Sequence, residues 1–576
     1  LKPEDVELAA GKPLFAVPKA PGKGGRKARY QKKGRQVDPQ AAREITTLLG
    51  DRSRQPDLLL EHLHLIQDQY GFLSTKHLAA LAEEMRLALA EVYEVATFYH
   101  NFTVVKEGDT PPAAITIKVC DSLSCEMAGS MTLKKKLAEK YGATIHVTHG
   151  ACMGRCEVAP VTRIKDRYVG NATIKDVEKQ LEAEKRGDPI AIPTVTSLLD
   201  YKENGGFSTL QQLCGGELKA EEIIETLNDS GHRGLGGAGF PHALKLNSVL
   251  SVPGPRYMAV NADESEPGTF KDRYFLNTNP YQFLEGMLIG AEIVEAEKIY
   301  IFLRDEYPET ARILTECIQL LKAEQLDGGR EIVLRRGAGA YICGEESAML
   351  ESIEGKRALP RHKPPFPAHV GLFGRPTLIN NVETLYWLPD IIRKGPDWFK
   401  EGGRHGGKGF RSFSLSGHVK KPGVYITPAG ITAKELIEEY GGGMEDDHEF
   451  RAYLPGGASG GLLPASMADI PLDFGTLEKY GCFIGSAAVI VISDKDDLKM
   501  VARNLMRFFE DESCGQCTPC RAGTEKALKL MEAEHWDSDL LTELSAVMRD
   551  ASICGLGQAA PNGLMSILKH FPEAVK

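Results

Sequence analysis

Eight of the 12 cysteines fall into two tight groups, and no other feature of the chain restricts its fold and chemistry so strongly. Cys120, Cys125, Cys152 and Cys156 form the first group; Cys514, Cys517, Cys520 and Cys554 form the second, with Cys214, Cys317, Cys343 and Cys482 scattered. Disulfide frameworks serve small secreted domains that cannot build a core. This chain has 576 residues, 42% of them hydrophobic, enough for several cores. Grouped thiols in a large chain read as metal ligands in a reducing compartment, so a cytoplasmic location is expected and the scattered cysteines read as packed core thiols. The formal charge of −10 argues against nucleic-acid binding through bulk positive charge. No apolar run approaches the roughly 18–20 residues of a membrane span; residues 487–492 are the most hydrophobic stretch.

Spacing separates the possible metals. The first group reads C-x4-C and then C-x3-C, which suits the C-x2-C knuckles of zinc poorly. A [2Fe–2S] cluster takes four thiolates from two loops, and Ser122, Ser124, Gly150 and Gly154 make such loops short and rich in free amides. The second group reads C-x2-C-x2-C with a distant fourth cysteine, the arrangement of a [4Fe–4S] cubane.

Composition and periodicity divide the chain. Residues 1–36 form an arm rich in Lys, Arg, Gly and Pro. Residues 37–110 carry helical stripes, with Gly71 ending one helix and Ser74 capping the next. Residues 111–190 alternate strand and helix patterns as a small α/β sandwich bearing the first cysteine group. A connector with one helix is expected over 191–225. A larger α/β region follows over 226–405, with strands at 257–260, 298–303 and 331–335. A β-rich module is expected over 406–495 and a helical region with the second cysteine group over 496–576.

Between the cysteine groups lie four weaker signals. Gly234, Gly236 and Gly239 satisfy G-x-G-x-x-G, and the following helix N-terminus is suited to phosphate. A dinucleotide fingerprint should follow a strand, however, and residues 221–228 read as helix. What remains is a phosphate-cradling loop on another topology, or a plain helix–helix turn. Asp263, Glu264 and Glu266 crowd the end of a strand, where α/β folds place ligands; they suit a metal, a solvated turn, or hydrogen bonds to ribose hydroxyls and ring N–H groups. Residues 337–346 combine glycines with Tyr341, which can border a planar ring. Residues 363–367 and 380–384 complete the set. Nicotinamide gives up two electrons at once, whereas an iron–sulfur cluster accepts one, so a flavin is needed between them.

Residues 230–241, 261–273, 337–346 and 512–521 resemble the NADH-binding, FMN-carrying subunit of respiratory complex I. Residues 37–190, including 91–99, resemble its small [2Fe–2S] subunit, here fused to it. Residues 34–39, 61–68 and 473–482 are most similar to the beta subunit of NAD-dependent molybdenum or tungsten formate dehydrogenases. The resemblance implies a multidomain α/β fold. Its parts are a thioredoxin-like [2Fe–2S] module, a Rossmann-like FMN and NADH domain, a ubiquitin-like β-grasp (SLBB-like) module and a C-terminal helical bundle with the [4Fe–4S] cluster. It implies FMN held by Gly234, Gly236, Gly237, Lys245, Asn261, Asp263, Tyr341, Gly344, Glu345, Asn380, Asn381 and Thr384. NADH would face Phe240, Glu266, Glu346, Lys363 and Phe366, with Glu266 and Glu346 the catalytic carboxylates. Leu235 and Leu246 stand where complex I relatives commonly carry Arg and Trp.

The expected function is that of a diaphorase subunit with FMN, NAD, one [2Fe–2S] and one [4Fe–4S] cluster. Its partner would be a catalytic subunit with a molybdenum or tungsten pterin and further iron–sulfur clusters, and the overall reaction formate + NAD⁺ = CO₂ + NADH. The alternatives are the diaphorase subunit of an NAD-reducing hydrogenase, the NADH-dehydrogenase part of complex I, and a non-catalytic iron–sulfur scaffold or redox sensor.

Overall fold

The computed structural model describes residues 36–113, 115–142 and 144–575. The basic arm expected over 1–36 thus lies outside the described residues except for Gln36. Among the described residues no helix is long and apolar enough to cross a membrane.

Four helices, Pro39–Leu49, Leu59–Tyr70, Thr75–Met85 and Leu89–Phe98, build the first module. Their ends follow local chemistry. Asp38 accepts from the Gln40 and Ala41 amides with Pro39 opening the helix, Ser74 accepts from the His77 amide, and Gly71 closes its helix at φ 81°, a conformation glycine adopts without a Cβ penalty. Next comes a four-stranded sheet in the order His146–Gly150, Thr116–Cys120, Thr162–Ile164, Arg167–Val169. The first pair is parallel and the others antiparallel.

Residues 191–225 differ from the expected connector. Two helices, Leu198–Glu203 and Ser208–Cys214, precede the helix Ala220–Ser230, and Tyr201, Phe207, Leu210 and Leu213 are buried in the core of the next domain. The glycine pairs 205–206 and 215–216 mask this helical content in the sequence.

The central domain is a parallel sheet in the order Thr377–Asn381, Arg256–Ala262, Ala296–Leu303, Glu331–Arg336. From the strand Arg256–Ala262 the chain steps outward twice in one direction, then returns to its other side. The strand order therefore reverses between Arg256–Ala262 and Thr377–Asn381, the place where open α/β sheets bind ligands beyond their carboxyl ends. Asn261 and Asn381 lie in register there. Five strands form the next module, in the order Gly423–Pro428, Phe410–Gly417, Ala488–Ser493, Phe450–Leu454, Leu463–Pro464. All six residues of Ala488–Ser493 are buried, so the most hydrophobic run of the sequence is a central strand.

Helices Leu498–Asp511, Thr518–Met531, Ser538–Ala551 and Asn562–His570 close the chain. Val501, Leu505, Phe508 and Phe509 recur at helical spacing and are buried, each such side chain contributing about 1.5–3 kcal/mol when fully removed from water.

The first module is pinned to the central sheet by polar contacts. Arg335, itself buried, pairs with Asp57 and Glu61, both at 2.6 Å. His64 Nε2 lies 2.9 Å from the Gly337 carbonyl, and Tyr99 donates its hydroxyl to Ser352 Oγ at 2.9 Å.

Candidate functional site

The structure gathers the first four cysteines from two loops. Cys120 ends the strand Thr116–Cys120, Cys125 sits in the short helix Leu123–Met127, and Cys152 and Cys156 follow the strand His146–Gly150. All four are buried, and the sulfurs of Cys152 and Cys156 are 3.6 Å apart. Hydrogen bonding among the thiols, with burial, pushes Cys120 and Cys156 far above an ordinary thiol. The same bonds, with Arg304 beside it, hold Cys152 well below an ordinary thiol, whereas Cys120 and Cys156 become thiolates only with a cationic centre next to them, which is the chemistry a [2Fe–2S] cluster supplies.

Residues of the central domain hold this loop, a feature the sequence does not reveal. Arg304 donates to the Cys152 carbonyl at 2.6 Å, and Arg273 donates to the Gly154 carbonyl at 3.0 Å and pairs with Glu157. Gly154 has φ 63°, and a Cβ there would lie 2.2 Å from the Tyr307 hydroxyl.

The second group lines one cavity: Cys514, Cys517, Cys520 and Cys554 surround it together with Ile342, Pro360, Ile553 and Leu556. Cys517 and Cys554 precede the first turns of helices Thr518–Met531 and Gly555–Ala559, where the backbone dipole favours negative sulfur. Burial, the leading cause, raises Cys520 to about 11 and Cys554 to about 12. A Cβ at Gly557 would come within 2.8 Å of Cys520 Cβ, so glycine there permits the close wrap. Four thiols converging on one apolar-walled cavity fit a [4Fe–4S] cluster.

The flavin candidates converge on the strand reversal. Asn261 donates to the Gly344 carbonyl at 2.9 Å, and Thr384 Oγ1 accepts from the Leu235 amide at 2.8 Å. Lys245 donates to the Ile379 carbonyl at 3.0 Å. These bonds join the glycine loop, both strand ends and the short helix Tyr341–Gly344. Gly236 faces Asn381 so closely that a Cβ would sit 2.9 Å from Asn381 Cβ. The carboxyl of Asp263 has one buried oxygen without a hydrogen-bond partner, and burial lifts the group to about 8. A bare-glycine cradle beside an orphaned buried acceptor fits a planar ring with N–H donors and a phosphate.

Other predicted residues take distinct places. Glu345 caps the helix Glu346–Ile353 through the Ser347 and Ala348 amides, while Lys363 bridges Glu345 at 2.9 Å and Glu346 at 2.7 Å. Glu266 accepts from the Ser459 amide at 2.9 Å and from its hydroxyl, and burial raises it, so its carboxylate joins the central domain to the five-stranded module. Phe240 and Phe366 are 48% and 52% exposed, leaving two aromatic faces open. Asn380 and Asn381 alternate across their strand: Asn380 meets buried His242 at 2.9 Å, whereas Asn381 donates to Asp272 at 2.6 Å. Asp272 and Glu383 in turn neutralise buried Lys271, both at 2.9 Å. Of the scattered cysteines, Cys317, Cys343 and Cys482 are buried as expected, but Cys214 is exposed, because it ends a short surface helix before a glycine pair.

Flavin patch and cubane cavity share a wall. Ile342 lines the cysteine cavity, and its neighbour Tyr341 donates its amide to Glu512 at 2.8 Å, two residues before Cys514. Tyr341 packs on Phe508, ring centroids 4.9 Å apart.

Family comparisons agree with this division. Residues 227–390 match the Nuo51 FMN-binding domain, 45–185 the thioredoxin-like [2Fe–2S] ferredoxin, 412–462 the SLBB domain, and 500–576 the NADH-ubiquinone oxidoreductase-F iron–sulfur binding region. The second F-type subunit of the NADH-quinone oxidoreductase of Rhizobium meliloti (strain 1021) is 41% identical over 397 residues, 66% of this chain and 94% of the relative. Its F-type counterpart in the NADH-quinone oxidoreductase of Aquifex aeolicus (strain VF5) is 40% identical over 395 residues, 66% of this chain and 91% of the relative. Among solved structures, a chain of an NAD⁺-reducing [NiFe]-hydrogenase in the H₂-reduced state superposes with a TM-score of 0.80 at 30% identity, covering 91% of this chain and 92% of that one. The air-oxidised state gives 0.79 at the same identity, covering 91% and 94%. FMN, NAD(H), one [2Fe–2S] and one [4Fe–4S] cluster are accordingly its cofactors, and the chain is a multidomain α/β electron-transfer subunit that belongs to the family of F-type NADH-quinone oxidoreductase subunits, with a thioredoxin-like [2Fe–2S] module in the same polypeptide.

Proposed function

We propose that this chain is the cytoplasmic NAD-side subunit of a formate dehydrogenase and relays electrons from a molybdenum- or tungsten-pterin partner to NAD⁺. The observation that carries the relay is the wall shared by the flavin patch and the cysteine cavity, Tyr341–Ile342 on one side and Glu512–Cys514 on the other. FMN, when bound, exchanges electrons in pairs with nicotinamide and singly with iron–sulfur clusters.

The residues have separable tasks in this reading. Gly234, Gly236 and Gly237 bring bare backbone to the phosphate, while Asn261, Asp263 and Asn381 orient the ring from the two strand ends. Phe240 and Phe366 offer aromatic faces to the nicotinamide dinucleotide. Glu266 and Glu346 accept its hydroxyl and amide hydrogen bonds, and Lys363 bridges Glu345 and Glu346, its own charge sustained against burial by those two carboxylates.

Support for formate comes from residues 34–39, 61–68 and 473–482, which resemble the formate dehydrogenase group. Glu61 and Asp68 pair with Arg335 and Arg336. Phe474 lies so near Gly239 that a Cβ there would be 2.6 Å from its ring, and Arg411 stacks over it at 4.2 Å. A second reading, the diaphorase subunit of an NAD-reducing hydrogenase, is favoured by the structural likeness along nine-tenths of the chain. Purifying the native complex decides between them. Molybdenum or tungsten with formate-dependent NAD⁺ reduction supports the first, nickel with hydrogen-dependent reduction the second, and quinone reduction by NADH a complex I assembly. A complex lacking NADH–ferricyanide activity would leave only a scaffold or sensor.

A further inference from the structure

The five-stranded module carries a second cluster of ligand-type side chains. His418 follows the strand Phe410–Gly417, Glu445 and His448 lie in the loop before Phe450–Leu454, and each presents one ligand atom, all within 4.8 Å of one another. The backbone fixes this arrangement. His418 N donates to Val491 O at 3.1 Å, Glu445 N to His418 O at 3.2 Å, and His448 N to Glu445 O at 3.2 Å.

The supports behind the rings are equally definite. His418 Nδ1 is 2.9 Å from the Glu445 carboxylate, and its Nε2 faces Asp496 at 3.2 Å. The Asp496 side chain is 8% exposed and is held by Ser493, from its amide at 2.7 Å and its hydroxyl at 3.0 Å. The same hydroxyl meets His448 Nδ1 at 2.9 Å. One nitrogen of each imidazole is thus anchored to the Ser493–Asp496 pair, and His448 Nε2 has no hydrogen-bond partner among the described residues. Metal-bound histidines are oriented in this way, the distal nitrogen held by a carboxylate or hydroxyl.

We propose that His418, His448 and Glu445 form a divalent-cation site of the zinc class, supported from behind by Asp496 and Ser493. Two imidazoles and one carboxylate leave a fourth position for water in a tetrahedral site. The local charge favours a cation: Glu445 and Asp496 flank His418, and the nearby Lys420 is engaged by Asp446 at 2.9 Å. The two rings stack, centroids 4.2 Å apart and planes at 18°. Parallel rings cannot both aim in-plane lone pairs at one ion, so binding turns them out of the stack and draws the ligand atoms to about 3.3 Å apart, the separation set by bonds of about 2.0 Å. The half-exposed Glu445 carboxylate gives the ion its entry. None of these five residues hydrogen-bonds to the flavin site or to a cluster cysteine, so the site is separate from the redox centres.

The test uses the protein with FMN and both clusters loaded, cleared of loose metal on a chelating resin and titrated with Zn²⁺. Elemental analysis should show one zinc per chain with iron unchanged, and X-ray absorption at the zinc edge should show two imidazoles. His448→Ala and Glu445→Gln, both at solvent-accessible positions, should weaken binding by about 100-fold or more, Asp496→Asn by about 10–100-fold, and Asp397→Asn, at an exposed carboxylate outside the cluster, not at all. No zinc uptake by the wild type at micromolar zinc, or unchanged affinity in both His448→Ala and Glu445→Gln, overturns the proposal.

Discussion

Arg304 donates from Nη2 to the carbonyl of Cys152 at 2.6 Å, placing a buried guanidinium of the flavin domain on a ligand of the [2Fe–2S] cluster. Reduction adds negative charge to the cluster, so this cation stabilises the reduced form. At an effective dielectric near 20, a unit charge 8–10 Å away is worth about 2 kcal/mol, or roughly 90 mV for one electron. Glu306 pairs with Arg304 at 3.0 Å and offsets part of it. Arg304→Gln should lower the [2Fe–2S] potential by roughly 30–90 mV in an EPR-monitored titration, with Arg304→Lys recovering part of the shift. An unchanged potential would restrict Arg304 to packing.

Gly236 confronts Asn381 across the proposed flavin cradle. The Cβ of Gly236→Ala would lie 2.9 Å from Asn381 Cβ, and neither strand end nor loop can give way without disturbing the bond between Leu235 and Thr384. Flavin content after purification should fall at least tenfold, while iron content stays at the wild-type level.

Cys517 tests the exit of electrons. Cys517→Ser should abolish the EPR signal of the reduced [4Fe–4S] cluster and leave that of the [2Fe–2S] cluster. NADH–ferricyanide activity, which needs only the flavin, should persist, whereas transfer to the partner should be lost. Loss of both activities together would show that the flavin site does not stand without the cubane.

Asp263 supplies a pH signature. Burial raises its pKa from 3.8 to about 8 in the folded chain, so the folded state binds a proton that the unfolded state has released. The resulting stability is complete below pH 3.8, declines as pH rises, and is lost above about 8. In FMN-depleted protein, Asp263→Asn should flatten the dependence of the melting temperature on pH across that window by up to one proton. An identical slope in the variant would place the proton elsewhere.

What the sequence makes legible and what it hides have physical causes. Cluster cysteines are legible because ligand spacing is local, and the helix ends at Ser74 and Gly71 because capping is local too. The strand Thr377–Asn381 is hidden: it is five residues long, follows a proline and ends in two asparagines, so it lacks a strand's usual composition. The hold of Arg304 on Cys152, or of Arg335 on Glu61, links residues far apart in the chain, and no periodicity encodes such pairs. The site residues are legible through resemblance; their separate tasks, with Asn380 turned toward His242 and Glu266 toward Ser459, emerge only from the fold.

The first module and the flavin domain share one continuous hydrophobic core, in which Leu63, Tyr99 and Phe102 cluster with Ala338, Ala340 and Ile342, and the contacts of Arg335, His64 and Tyr99 add polar links across it. Here a polypeptide runs from one side to the other, making their encounter intramolecular. Dilution cannot part the [2Fe–2S] module from its flavin, and their stoichiometry is set at translation.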